Sequence, residues 1–156
     1  MSEKTISKLL KFAIFLMAAM CFCIHCGVSL IALVSEAPEV HAVRIPWLIF
    51  TWLTAVPMIP ALIYSWKTAS NIGKSILFQM DNAKNLHIIA SSALADTVIV
   101  FGGGILFLFL NFSHPSLLFI KLAVAAMGFA IFAAAEGLSQ LIKRAANLQE
   151  DADLTI

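Results

Sequence analysis

Four long apolar runs, separated by short polar stretches, organise the whole chain. The first covers Phe12 to Ser35 and is interrupted only by His25. The second covers Ile45 to Trp66, the third about Leu86 to Leu110, and the fourth about Leu117 to Leu138. Each is long enough for an α-helix to cross about 30 Å of hydrocarbon at about 1.5 Å per residue. The pattern predicts an all-α fold: one transmembrane domain over residues 1–156, a four-helix bundle with helices at about 9–34, 45–66, 82–110 and 116–148. The stretches SEAPEVHAVRIP, KTASNIGKSILFQMDNAKN and NFSHPS read as connectors.

Finer features modify these helices. Pro57 and Pro60 predict a kink in the second, because proline removes an amide donor and crowds the carbonyl four residues before it. Trp47, Trp52, Tyr64 and Trp66 lie mostly toward its ends, as interfacial aromatics do. Gly102, Gly103 and Gly104 predict a locally loosened third helix. In the fourth, Ala126, Ala130 and Ala134 form a small-residue ladder, with Ala133 and Gly137 beside it. Such ladders allow close helix approach, within the bundle or within a homodimer. Beyond it, Leu138, Leu141, Ile142, Ala145 and Leu148 keep helical spacing, so the helix is expected to extend into the cytoplasm or along the interface.

Composition fits lipid as the solvent. Hydrophobic residues make up 61% of the chain and charged residues 12%, with a mean hydropathy of +0.94. That is too little charge to cover a soluble globule. The formal charge of +1 and the lack of a basic patch argue against direct nucleic-acid binding. The basic start MSEKTISKLLK before an apolar run imitates a signal peptide. A signal core is only about 7–15 residues long, however, so the segment reads as a retained helix.

Charge placement predicts orientation. Lys4, Lys8 and Lys11 precede the first helix, Lys67, Lys74 and Lys84 lie between the second and third, and Lys143 and Arg144 follow the fourth. The other side holds only Arg44 and, at a helix edge, Lys121. The positive-inside rule then places both termini in the cytoplasm.

Ionisable residues inside the helices are the first functional candidates. Asp96 lies about 15 Å into its helix and should face other helices, since a carboxylate in hydrocarbon costs roughly 2.5–3.5 kcal/mol. Ser92 and Gly103 share its face, which suggests a small polar seam. Its first expected role is a polar clasp between helices, its second an ion or proton path. Lys121 enters from the opposite leaflet, either to pair with Asp96 or to snorkel outward. His25 is another partner for Asp96. Glu136, beside Ser139 and Gln140, reads as a solvated boundary carboxylate. Cys21, Cys23 and Cys26 lie in one apolar run with His25, but on two different helix faces. They read as buried small residues rather than a metal site. No nucleophile–base pair, HExxH or phosphate loop occurs, so the chain reads as a non-enzyme without metal or cofactor.

The central connector reads Gly73-Lys74-Ser75-Ile76-Leu77-Phe78-Gln79-Met80-Asp81-Asn82-Ala83-Lys84-Asn85-Leu86, and the chain closes on Glu150-Asp151-Ala152-Asp153-Leu154-Thr155-Ile156. Both stretches resemble a bacterial family known as domain of unknown function 2975. Its motif has a glycine, a phenylalanine and an acidic-Asn-Ala triplet, and its chains end in acids followed by Asp-Leu-Thr and an aliphatic residue. Gln79 replaces the usual Ser or Thr after the phenylalanine, so Asp81 is expected to cap the third helix instead. Ala152 replaces a usual Asn or acid.

The resemblance implies a small four-helix membrane protein without known enzyme activity, often paired with a helix-turn-helix regulator of the Cro/CI type. The expected function is therefore a regulatory membrane partner of such a cytoplasmic protein. Gly73, Phe78, Asp81, Asn82, Asp151, Asp153, Leu154, Thr155 and Ile156 are its expected contact face. The tail could equally dock on the connector of its own chain. The alternative is a small transporter or channel subunit using Asp96, and a metal or redox protein ranks last.

Overall fold

The computed structural model of the chain describes residues 2–74, 76 and 79–154. Four helices account for nearly all of them: α1 (Glu3–Val34), α2 (Pro38–Ile72), α3 (Met80–Phe109) and α4 (Pro115–Leu154). No strand occurs among the described residues. All four helices are long and apolar enough to cross a membrane, which marks the chain as a multi-pass membrane protein by length and composition.

The helices outrun the apolar runs that predict them. α1 begins at Glu3, where Ser2 caps it by accepting from the Thr5 amide at 3.4 Å. Residues 36–45, expected as a loop, are largely helical, because α2 starts at Pro38. Proline suits the first helical position, where its missing N–H costs nothing. α2 then continues unbroken through Pro46, Pro57 and Pro60 to Ile72. α3 starts after Gln79, which makes no side-chain cap. Asp81 is not the cap that the sequence led us to expect. It lies in the first turn, 80% exposed and 3.9 Å from Lys84, where the helix dipole favours an acid.

A Schellman turn ends α3. Asn111 adopts φ 56°, the left-handed conformation that asparagine tolerates best after glycine. The Phe112 amide then donates to the Phe107 carbonyl at 2.8 Å, and the Asn111 amide to Leu108 at 3.1 Å. α4 follows within a few residues and stays helical to Leu154. The helix includes the backbone at Asp151, Asp153 and Leu154, whose side chains lie outside the described set, as do Phe78, Thr155 and Ile156.

Among the described residues, close backbone approach occurs only between helices adjacent in the chain: α1 with α2, α2 with α3, and α3 with α4. The starts of α1 and α3 thus share one end of the molecule with the end of α2 and the later part of α4. This is the termini end; the opposite one is the hairpin end. α4 presents Leu118, Lys121, Ala125, Gly128, Phe132, Ala135, Ser139 and Ile142 inward, at alternating steps of three and four. The ladder of Ala126, Ala130, Ala133, Ala134 and Gly137 is exposed on another face, so it does not pack the bundle. Gly128 makes the close approach instead, because a methyl group there would strike Thr97 of α3.

Candidate functional site

Asp96 sits on α3 beside a cavity of about 210 Å³ to which all four helices contribute. Met17 and Cys21 come from α1, Pro57 and Met58 from α2, Ser92 from α3, and Gly128 and Ile131 from α4. The Asp96 Oδ1 is buried and has no hydrogen-bond partner. Ser92 offers it no hydrogen, because its hydroxyl donates to the Ile88 carbonyl at 2.8 Å. The walls are chiefly apolar, with Cys21, Ser65 and Ser92 as the polar exceptions, and none of these hydrogen-bonds to the Asp96 Oδ1.

Lys121 does not reach Asp96, nor does it snorkel outward. Its Nζ is buried, with no hydrogen-bond partner. It lies 4.8 Å from the ring centre of Trp47, 5.0 Å from Phe50 and 5.2 Å from Phe107. The three rings form a cage from α2 and α3 around a cation from α4. Ring faces attract a cation electrostatically, by up to about 2 kcal/mol or more when desolvated. Gly103 and Gly104 make room for it. A methyl group on Gly103 would strike the Phe50 ring, and one on Gly104 would lie 2.9 Å from the Lys121 Cδ. The triple glycine therefore does not loosen α3, which runs through it as continuous helix.

His25 is spent on structure. Its Nδ1 donates to the Cys21 carbonyl at 2.7 Å, and its Nε2 lies 3.3 Å from the Thr54 hydroxyl of α2. That hydroxyl is also 2.8 Å from the Thr51 carbonyl. Thr54 can give its single hydrogen to a neutral imidazole, or turn it to Thr51 and accept from a charged one. Trp52 Nε1 donates to Ser29 Oγ at 3.2 Å, a second polar tie between α1 and α2. Cys21 and Cys26 are partly buried and Cys23 is exposed, and none is in a disulfide.

Glu136 is not merely solvated. It accepts from His87 Nδ1 at 2.7 Å and from Gln140 Nε2 at 2.8 Å, bridging α4 to α3. The pair borders an open cleft that also holds Met80, Lys84, Ile88, Ser139 and Lys143.

At the termini end Asn82 and Ala83 of the connector face inward. Asn82 is 0% exposed. Its Nδ2 donates to the Ile76 carbonyl at 2.7 Å, and its Oδ1 accepts from Asn71 Nδ2 at 2.7 Å. The buried Ser139 hydroxyl donates to the Ala83 carbonyl at 2.7 Å, where Ala83 and Leu86 pack on Ile142. Ser7 donates to the Ala69 carbonyl at 2.6 Å and packs directly on Gly73. Asn82 and Gly73 thus hold the end of the bundle together, and Asn82 has no surface to offer a partner.

A family model described as Protein of unknown function (DUF2975) matches residues 29–156, well over half of the chain. The chain belongs to this family. No curated protein and no solved structure matches it. The burial of Asn82 and Ala83 gives the DUF2975 acidic-Asn-Ala motif a physical reading. Its acid sits at a helix start, its asparagine ties the connector, and its alanine lets α4 approach.

Several functional features escaped the sequence. The cage needs Phe50 and Phe107, ordinary apolar residues in isolation. Two adjacent glycines opposite aromatic positions were the available signal. The His87–Glu136 bond joins residues 49 apart and leaves no local trace.

Proposed function

We propose that this member of the DUF2975 family is a small bacterial inner-membrane protein that binds a cation with an apolar body at Asp96, in exchange for a proton. The observation that carries this reading is the buried, unpartnered Oδ1 of Asp96 in a cavity shared by all four helices. A carboxyl group in such surroundings is tolerated either as the neutral acid or with an opposite charge against it. Hard metal ions want six or more oxygen ligands. One carboxylate with two serine hydroxyls among mainly methionine and aliphatic side chains suits an organic cation better. Because α1 to α4 all border the cavity, occupancy can alter how the helices pack.

The test uses the purified protein in detergent, with tetraethylammonium, small enough for the cavity, as probe. Saturable binding that weakens as pH falls and disappears in Asp96→Asn is expected. Binding of equal strength in Asp96→Asn, or none to the folded wild type, would reject the reading.

A second reading, a docking platform for a cytoplasmic helix-turn-helix regulator, is favoured by one observation. α4 continues 12 residues past Ile142, from 143 to 154, or about 18 Å. Leu148 on this extension is 70% exposed, with Lys143, Arg144 and Glu150 also exposed. With both termini in the cytoplasm, the extension would face such a partner. Leu148→Asp should abolish association with a purified regulator of that type, and association that survives it would count against this surface.

A further inference from the structure

A second cavity, of about 310 Å³, lies at the hairpin end, bordered by the last turns of α1 and the beginnings of α2 and α4. Its walls are apolar apart from Arg44, Ser113 and His114. We propose that it binds an anionic phospholipid, with the headgroup phosphate held by Arg44 and an acyl chain running between α1 and α4.

The Arg44 side chain is set up for an anion. Its Nη2 donates to the Ser35 carbonyl at 3.0 Å, at the C-terminal end of α1, where helix carbonyls favour a cation. Its Nε is buried and has no partner. One donor is therefore anchored while another waits. A guanidinium offers five donors in a planar fork that matches phosphate oxygens in pairs. No carboxylate makes an ion pair with it among the described residues. Phosphate would satisfy the orphaned N–H once the guanidinium turns it toward the cavity.

The rest of the cavity suits an acyl chain. Among the described residues α1 and α4 make no close backbone approach, which leaves a slot between them. Ile31 and Leu117 border it and are 69% and 37% exposed. Trp47 closes the inner side, pinned by its Nε1 bond to the Phe112 carbonyl at 3.0 Å. A free anion would leave these apolar walls wet. A lipid covers them and meets the arginine with the same molecule.

Native mass spectrometry of the full chain, from detergent doped with equal phosphatidylglycerol and phosphatidylcholine, tests this. Retained phosphatidylglycerol should exceed phosphatidylcholine at least tenfold. Arg44→Gln should abolish that preference, and Arg44→Lys should keep part of it. Leu117→Trp should lower lipid retention by filling the slot while leaving Arg44 intact. Asp96→Asn should change nothing here, which separates this site from the cation cavity. Equal retention of both lipids, or an undiminished preference in a folded Arg44→Gln protein, would overturn the proposal. Displacement of phosphatidylglycerol by inorganic phosphate at equal concentration would overturn the lipid assignment.

Discussion

Lys121 on α4 places its Nζ 5.0 Å from the ring centre of Phe50 on α2, although 71 positions separate the two in the chain. Phe107 of α3 completes the contact from a third helix, its ring 5.0 Å from that of Phe50. The cation has no hydrogen-bond partner, so the rings are its compensation. We expect Phe50→Leu to destabilise the protein by about 1–3 kcal/mol in the wild-type background. In a Lys121→Met background the same change should cost about 1 kcal/mol less. Lys121→Met alone should be nearly neutral, because an apolar side chain of similar length replaces a buried charge. Unfolding curves in detergent for the four proteins of the cycle give the coupling directly. Additive effects would mean that the rings do not hold the charge.

The three consecutive glycines should behave differently. Gly102 has open space where a methyl group would go, and Gly103 has the Phe50 ring. Gly102→Ala should stabilise α3 by up to about 1 kcal/mol through helix propensity. Gly103→Ala should destabilise by about 1–3 kcal/mol through overpacking. Melting temperatures of the two variants, compared side by side, check the contrast.

At the connector, Asn82 and Asp81 are neighbours with opposite fates. Asn82→Ala removes two hydrogen bonds of 2.7 Å and strands the Ile76 carbonyl and the Asn71 amide. A buried group left unsatisfied costs about 1–3 kcal/mol. Asp81→Ala changes an exposed first-turn acid and should cost no more than about 0.5 kcal/mol. Hydrogen exchange across residues 73–85 should rise sharply for the first variant and hardly at all for the second.

Orientation can be read by labelling. In a cysteine-free background, a cysteine at Glu36 or Ser113 should react with an impermeant reagent applied to intact cells, and one at Lys74 should not. The basis is the clustering of lysine and arginine at the termini end. Labelling at Lys74 from outside would invert the topology, and with it the side from which Arg44 meets lipid.

The helices were legible because crossing lipid demands long apolar runs, a constraint that needs no knowledge of neighbours. Their ends were less so. Pro38 looked like a loop marker, yet proline starts a helix as readily as it prevents one. The α4 packing face was left open between the bundle and a homodimer, for a related reason. Ala126, Ala130 and Ala134 stand out by composition, but the inward stripe includes Lys121, Gly128 and Ser139, which look unlike a core. Asp96 was conspicuous because charge in a membrane segment is costly wherever it lies. Lys121 was equally conspicuous, but its surroundings come from α2 and α3, and no local pattern reports them. Arg44 drew notice only as a topological exception.

The order in which the helices pack has a consequence for biogenesis. Since each helix lies against the one made just before it, α1 to α3 can settle pairwise as they leave the ribosome, without waiting for a remote partner. Lys121 breaks this pattern. Its charge enters the bilayer with the last helix, and its shelter exists only if α2 and α3 already stand together. A nascent chain with α2 and α3 apart would leave that ammonium group without its rings, so the buried position of Lys121 is reached only once α2, α3 and α4 stand together.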